Sequence, residues 1–277
     1  MSIAAPSELR QAIRAGWHTG PTAGLALGYV QTNVVILPAA EAADFAEFCR
    51  QNSQACPLVA QTAAGDPEPA AAARGADLRS DVPRYRVFRG GVREEAEPTD
   101  IRHLWRDDFV GFLIGCSFTF ERALIEAGLP VRHVEQGSNV PMYRTSIACR
   151  PAGRFAGPLV VSMRPYRPEQ VERVREITAR YPAMHGAPIH AGDPRELGIA
   201  DLARPDFGDP PTIHPGEIPV FWACGVTPQL ALAAARPEIA ITHSPGCMFV
   251  TDLRDEAYLQ TKSAIHLATD QTRIKHG

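Results

Sequence analysis

Apolar positions along the chain fall into short blocks set apart by proline, glycine and charge. Pro6 to Ala15 is amphipathic and predicts a helix. The unbroken apolar run Val30 to Leu37 predicts a buried strand, and Glu41 to Asn52 a second helix. Residues 62 to 80, TAAGDPEPAAAARGADLRS, lack apolar periodicity and predict a long surface loop. In RYRVFRGGVREE, strand residues flank Gly90-Gly91, which predicts a hairpin. From Asp107, the positions Phe109, Leu113, Cys116, Phe120, Leu124 and Ala127 step by four and three before Gly128, and the spacing predicts one long helix. The competing pattern is a strand ending at Gly115, followed by a turn presenting Cys116 or Ser117 as a nucleophile. GCSFT lacks the second glycine of such an elbow.

Further along, 139 to 149 and 157 to 164 are strand-like, and PYRPEQVERVREITARYP is a polar amphipathic helix between prolines. This order predicts a smaller α+β subdomain over 131 to 190, inserted into a main domain of 1 to 130 plus 191 to 260. Ile218 to Cys224, Pro228 to Arg236 and Ile239 to His243 alternate strand, helix and strand, with Thr227 as N-cap and Pro228 at the first helical position. A βαβ unit with a right-handed crossover follows. The expected fold class is therefore α/β, a mostly parallel sheet flanked by helices.

Composition narrows the function classes. With 28 Lys+Arg against 31 Asp+Glu, the net charge of −3 argues against a nucleic-acid partner. At 45% hydrophobic and 21% charged residues over 277 positions, the chain is ordinary for a globular protein rather than a disordered one. No apolar run is long enough to span a bilayer, and Glu8, Arg10 and Arg14 occupy the place of a signal peptide's apolar core, so the expected location is the cytoplasm. Six cysteines without a C-x-x-C pair predict reduced thiols. Both lysines, Lys262 and Lys275, fall in the last sixteen residues, which marks 261 to 277 as a tail foreign to the body.

On the parallel topology, ligands bind beyond the carboxyl ends of the strands, an edge that would gather Cys224, Gly225, Thr227, His243, Ser244 and Cys247, with Glu217 at the far end. The N-terminus of the 228 to 236 helix would attract a carboxylate, and Gly225 would let it approach the backbone. His243 suits general acid or base work. The loop before the 139 to 149 strand adds Glu135 and Asn139, and alternation puts Arg144 on one strand face and Tyr143 on the other. Metal ligation has little support, because His185 and His190 stand in an extended stretch and Asp193, Asp206 and Asp209 lack a ligand spacing. No metal and no cofactor is assigned.

Several separated strings, GFLIGCSFTFE, VEQGSNVPMYRT, GPLVVSMRP, HGAPIHAGDP, PDFGD, PVFWACGVTPQ and AITHSPGCMFVTD, resemble in order those of the D-glutamate cyclase-like family, whose bacterial members carry a provisional hydro-lyase name. The likeness spans about residues 10 to 256. It implies a two-part α/β fold and a dehydration, D-glutamate closing to 5-oxo-D-proline. For that chemistry the residues offer His243, Glu135, Tyr143 and Asn139 as the catalytic set, the first two for proton transfer and the others as hydrogen-bond donors. Arg144, Thr227, Gly225, Cys224 and Ser244 are the substrate-binding candidates. The expected partner is a small carboxylate, with no nucleic acid or membrane, and a homo-oligomer is the default assembly for an enzyme of this size. Two rivals are a small-acid binding module without chemistry, and an amidohydrolase that would need an exposed Cys116 beside a histidine.

Overall fold

The computed structural model describes residues 5–259, so the expected 261 to 277 tail lies outside the described residues. In chain order the elements are α1 Pro6–Arg14, β1 Tyr29–Pro38, α2 Ala39–Gln51, β2 Leu58–Gln61, β3 Tyr85–Arg89, β4 Val92–Arg93, β5 Phe109–Gly115, α3 Phe118–Glu126, α4 Arg132–Gln136, β6 Met142–Ala148, β7 Pro158–Tyr166, α5 Val171–Ala179, β8 His190–Ala191, β9 Ile218–Ala223, α6 Thr227–Ala235, β10 Ile239–His243 and β11 Phe249–Arg254. None of these helices is long and apolar enough to cross a membrane.

The strands form two sheets. The larger runs β2-β5-β1-β10-β3-β4, with β11 also on β1, and the smaller runs β6-β7-β9-β8. Every pairing among the described strands is antiparallel. This overturns the expected parallel α/β sheet. The strands at 218–223 and 239–243 do not pair with each other: β9 belongs to the smaller sheet, β10 to the larger, and α6 joins them. A fully buried strand is apolar on both faces whatever the direction of its neighbours, so the run of residues alone suggested the βαβ unit wrongly.

The long helix expected from Asp107 is also corrected. Phe109–Gly115 is a strand, buried throughout and paired with β1 from Thr32↔Gly115 to Pro38↔Phe109, and only Phe118–Glu126 is helical. Burial on both faces removes the period-two alternation and leaves apolar spacings that mimic a helix. The strand ending at Gly115, the competing pattern, describes the backbone here, and the helix Phe118–Glu126 follows it.

Helices α2 and α6 cover one face of the larger sheet, where Phe45, Phe48 and Leu232 pack on Val35, Leu37, Phe112 and Ile114. Its other face, with Val34, Ile36 and Leu113, is covered by Ala72, Ala73, Ala76 and Leu78 of the segment expected to be a surface loop, and by Val82 just beyond it. That segment has no regular structure, but Ala72, Ala73, Ala76 and Leu78 are core while its other alanines are exposed. Helices α3 and α5 close over the smaller sheet through Phe120, Leu124, Val174 and Trp222.

One side of β1 changes partners along its length. Val35 and Ile36 face β10, whereas Gln31 and Thr32 face β11. At the junction the Val34 amide has no strand partner there, and it donates instead to His243 Nδ1 at 3.2 Å. The histidine is buried, and this burial, with the nearby Arg86, lowers it to about 4, although the Val34 carbonyl works to raise it. It is therefore neutral near pH 7. Because its native value lies below the ordinary 6.5, the unfolded chain binds more protons between pH 6.5 and 4, and native stability falls as pH drops through that window. His243→Asn should be less stable than the parent by about 1–3 kcal/mol at neutral pH. On acidification that gap should narrow by up to about 3 kcal/mol. Urea denaturation at both ends of the window measures this, and a gap independent of pH would contradict it.

Candidate active site

The turn between β10 and β11, Ser244 to Met248, leaves the sheet directly after this histidine and forms one wall of an open cleft between the two halves of the fold. The cleft has a volume of about 470 Å³. Its near wall consists of Arg84, Arg86, Glu97, Ser244 and Cys247, and its far wall of Asn139 and the loop Asp206 to Asp209. Thr19, Gly20 and Pro21 stand at its edge.

The far wall is knitted from two distant strings. Asn139 N donates to the Asp209 carboxylate at 2.7 Å, and Arg144 N to that of Asp206 at 2.8 Å. Met142 and Phe207 exchange backbone bonds of 2.9 and 3.1 Å. Gly208 has φ +77, and an added Cβ there would stand 2.0 Å from the Val140 carbonyl. Only glycine permits this contact, which is the physical role of the central glycine in PDFGD.

The near wall supplies charge. Arg84 and Arg86 flank the buried Tyr85, so strand alternation aims both toward the cleft. Arg86 Nε holds Glu97 at 2.8 Å, with Arg93 at 3.6 Å. Burial works to raise the Glu97 carboxyl, but Arg86, the Ser244 hydroxyl and Arg93 prevail and keep it below the usual range, hence ionised. Arg84 has no carboxylate within 4 Å among the described residues. The Ser244 hydroxyl is buried and makes no close hydrogen bond among them, although it stands near enough to Glu97 to favour the ionised carboxylate. Burial pushes the Cys247 thiol up to about 11, so it remains protonated near neutral pH.

Of the residues singled out from sequence, Asn139 and Ser244 line the cleft, and Arg144 stands at its margin, 3.3 Å from Asp206 and against the Phe207 ring. His243 sits behind Ser244 and holds the strand junction. The others are engaged elsewhere. Tyr143 is buried and its hydroxyl donates to Leu202 O at 2.7 Å, while Glu135 is exposed on α4, 3.5 Å from Arg132. Thr227 is the first residue of α6 rather than its cap. Its hydroxyl donates to Cys224 O at 2.7 Å and accepts from Val160 N at 3.0 Å. The space at Gly225 is taken by the Asn33 side chain, 2.0 Å from where a Cβ would stand.

Burial pushes the Cys224 thiol up to about 11 and the Cys116 thiol to about 12. Cys116 is thus neither exposed nor activated, which removes the requirement of the amidohydrolase alternative. His185 and His190 each give a ring nitrogen to a backbone carbonyl, of Gln54 at 2.8 Å and Asp193 at 2.9 Å. Sequence reasoning missed Arg84, Arg86 and Glu97. The signal was present, since R-Y-R entering a hairpin strand places two cations on the face opposite a core tyrosine.

Comparison with known proteins bears on what such a cleft does. The family model for D-glutamate cyclase matches residues 110–252. A relative from Thermoanaerobacter sp. (strain X514) is 59% identical over 251 residues, covering 91% of this chain and 94% of its own length. Another from Rubrobacter xylanophilus is 61% identical over 258 residues, covering 93% and 99%, and one from Stutzerimonas stutzeri is 58% identical over 251. All three bear the name "putative hydro-lyase". At that identity and coverage, the chain belongs to the D-glutamate cyclase family.

Proposed function

We propose that the chain is a hydro-lyase for a small amino or hydroxy acid, and that it closes D-glutamate to 5-oxo-D-proline with loss of water in the cleft between the two sheets. The observation that carries this reading is the pairing, in one cleft, of Arg84, which has no carboxylate within 4 Å among the described residues, and the buried Ser244 hydroxyl with the carboxylates Glu97, Asp206 and Asp209.

In the reaction the amine lone pair attacks the γ-carboxyl carbon, a C–N bond forms, and a carboxyl C–O bond breaks. The substrate ammonium gives up two protons and the departing oxygen takes up two, so no proton is gained or lost overall. The site must therefore shuttle protons from nitrogen to oxygen while holding a carboxylate that is a poor electrophile. The chain between the two groups supplies proximity once the right rotamer is bound. Arg84 and Arg86 are placed to anchor the carboxylates and to stabilise the developing oxyanion. Asp206 and Asp209 face them across the cleft and suit the ammonium and its protons, and Asn139 and Ser244 add neutral hydrogen bonds.

Proton NMR of the purified protein with D-glutamate, L-glutamate and a panel of small 2-hydroxy and 2-amino diacids tests this. Conversion of D-glutamate to a lactam is the expected result. No turnover together with ligand-induced shifts would favour the binding module instead. Arg86→Ala and Asp206→Asn should each lower kcat/KM by about 10²-fold or more, on the order of 3 kcal/mol of transition-state stabilisation. Retention of activity in both would remove the cleft from the mechanism.

A further inference from the structure

A second cavity, sharing no lining residue with the cleft, lies between the loop Gly24 to Tyr29 and the outer face of α3. Its volume is about 180 Å³, the room of about six waters at roughly 30 Å³ each. Leu25, Ala26, Phe118 and Val134 line it, and Leu27 and Ile125, 61% and 47% exposed, form an apolar rim.

Glu121 is the distinctive member of that lining. It is only 4% exposed. One of its oxygens, Oε1, takes the Arg164 guanidinium and lies 3.1 Å from His133 Nε2. The other, Oε2, accepts no hydrogen bond among the described residues and is not sealed from the cavity. A buried carboxylate oxygen left open carries a desolvation cost that a donor would relieve. The charged residues of the lining are Glu121, Asp255 and Arg122, with Arg164 on Glu121 and the Arg254 guanidinium over the Tyr29 ring. Arg122 already occupies both Asp255 oxygens at 3.1 and 3.0 Å, and it reaches Glu256 at 3.0 Å and Glu126 at 3.5 Å.

We infer that this cavity is a binding site for a small primary amine, its ammonium on Glu121 Oε2 and a short apolar tail passing out between Leu27 and Ile125. An ammonium offers three donors and a compact positive charge, which suits an open carboxylate oxygen. The apolar walls and rim suit an unbranched alkyl chain. The cleft sets arginines against aspartates and suits a ligand that carries both charges, whereas this cavity offers its open carboxylate oxygen beside apolar walls.

Saturation-transfer NMR and calorimetry with n-butylammonium as the probe, against 1-butanol and butyrate, test the assignment. The expected result is saturable binding of the ammonium, at least tenfold tighter than the alcohol, with no measurable binding of butyrate at this site. Glu121→Gln should abolish the preference for the ammonium. Because that change leaves Arg164 buried without its counter-charge, Val134→Phe and Ile125→Trp serve as independent tests. Each fills the cavity or its mouth without touching Glu121, and each should weaken binding at least tenfold. Arg84→Ala, in the cleft, should leave butylammonium binding unchanged. Absence of saturable binding, equal binding of 1-butanol, or full binding in both filled variants would overturn the site, whatever D-glutamate turnover shows.

Discussion

The hydrogen bond between the Val34 amide and the His243 imidazole settles how the larger sheet is assembled. A strand of ten residues at the centre of a sheet must satisfy every buried backbone group, yet β1 takes two different strands on one side. Where β10 stops and β11 begins, a side chain has to replace the ladder bond. The imidazole does so while neutral, and the chain can then leave the sheet as the Ser244 to Met248 turn and return as β11. Without that substitution the cleft would lack one wall.

The same economy explains the second wall. Two short loops from the smaller half of the molecule, Asn139 to Arg144 and Asp206 to Asp209, satisfy each other's backbone groups with carboxylates and a two-way bridge rather than with a long strand pair. A wall built in this way keeps its polar side chains near the solvent-filled space between the sheets. Arginine from one half and aspartate from the other then face each other across it, and a ligand carrying both charges gains from both walls.

Several local elements were legible in the sequence. Helices at Pro6–Arg14, Ala39–Gln51 and Val171–Ala179, the strand at Tyr29–Pro38 and the Gly90-Gly91 hairpin follow from periodicity and turn chemistry. The sheet direction was not, because Ile218–Ala223 and Ile239–His243 are apolar for reasons of two-sided burial that say nothing about their neighbours. The misread Phe109–Gly115 strand has the same cause. Of the residues that line the cleft, Asn139 was singled out from its glycine-containing loop, whereas Ser244 came from the parallel reading of the sheet and lines the cleft for another reason. Thr227 and Gly225 were drawn in by the parallel topology, and with antiparallel sheets their groups face β7 and Asn33 instead. Family resemblance, carried by strings scattered through the chain, was sound where topology was not, since it depends on residue identity rather than on strand direction.

The central claim is that substrate occupies the cleft between Arg84, Arg86 and Ser244 on one side and Asn139 and Asp206 on the other. A crystal structure of the protein soaked with 5-oxo-D-proline tests it most directly. The account predicts density for the lactam in that cleft, its carboxylate within hydrogen-bond reach of at least one of the two arginines. Ordered density for the lactam at another site, with the cleft holding only solvent, would contradict it.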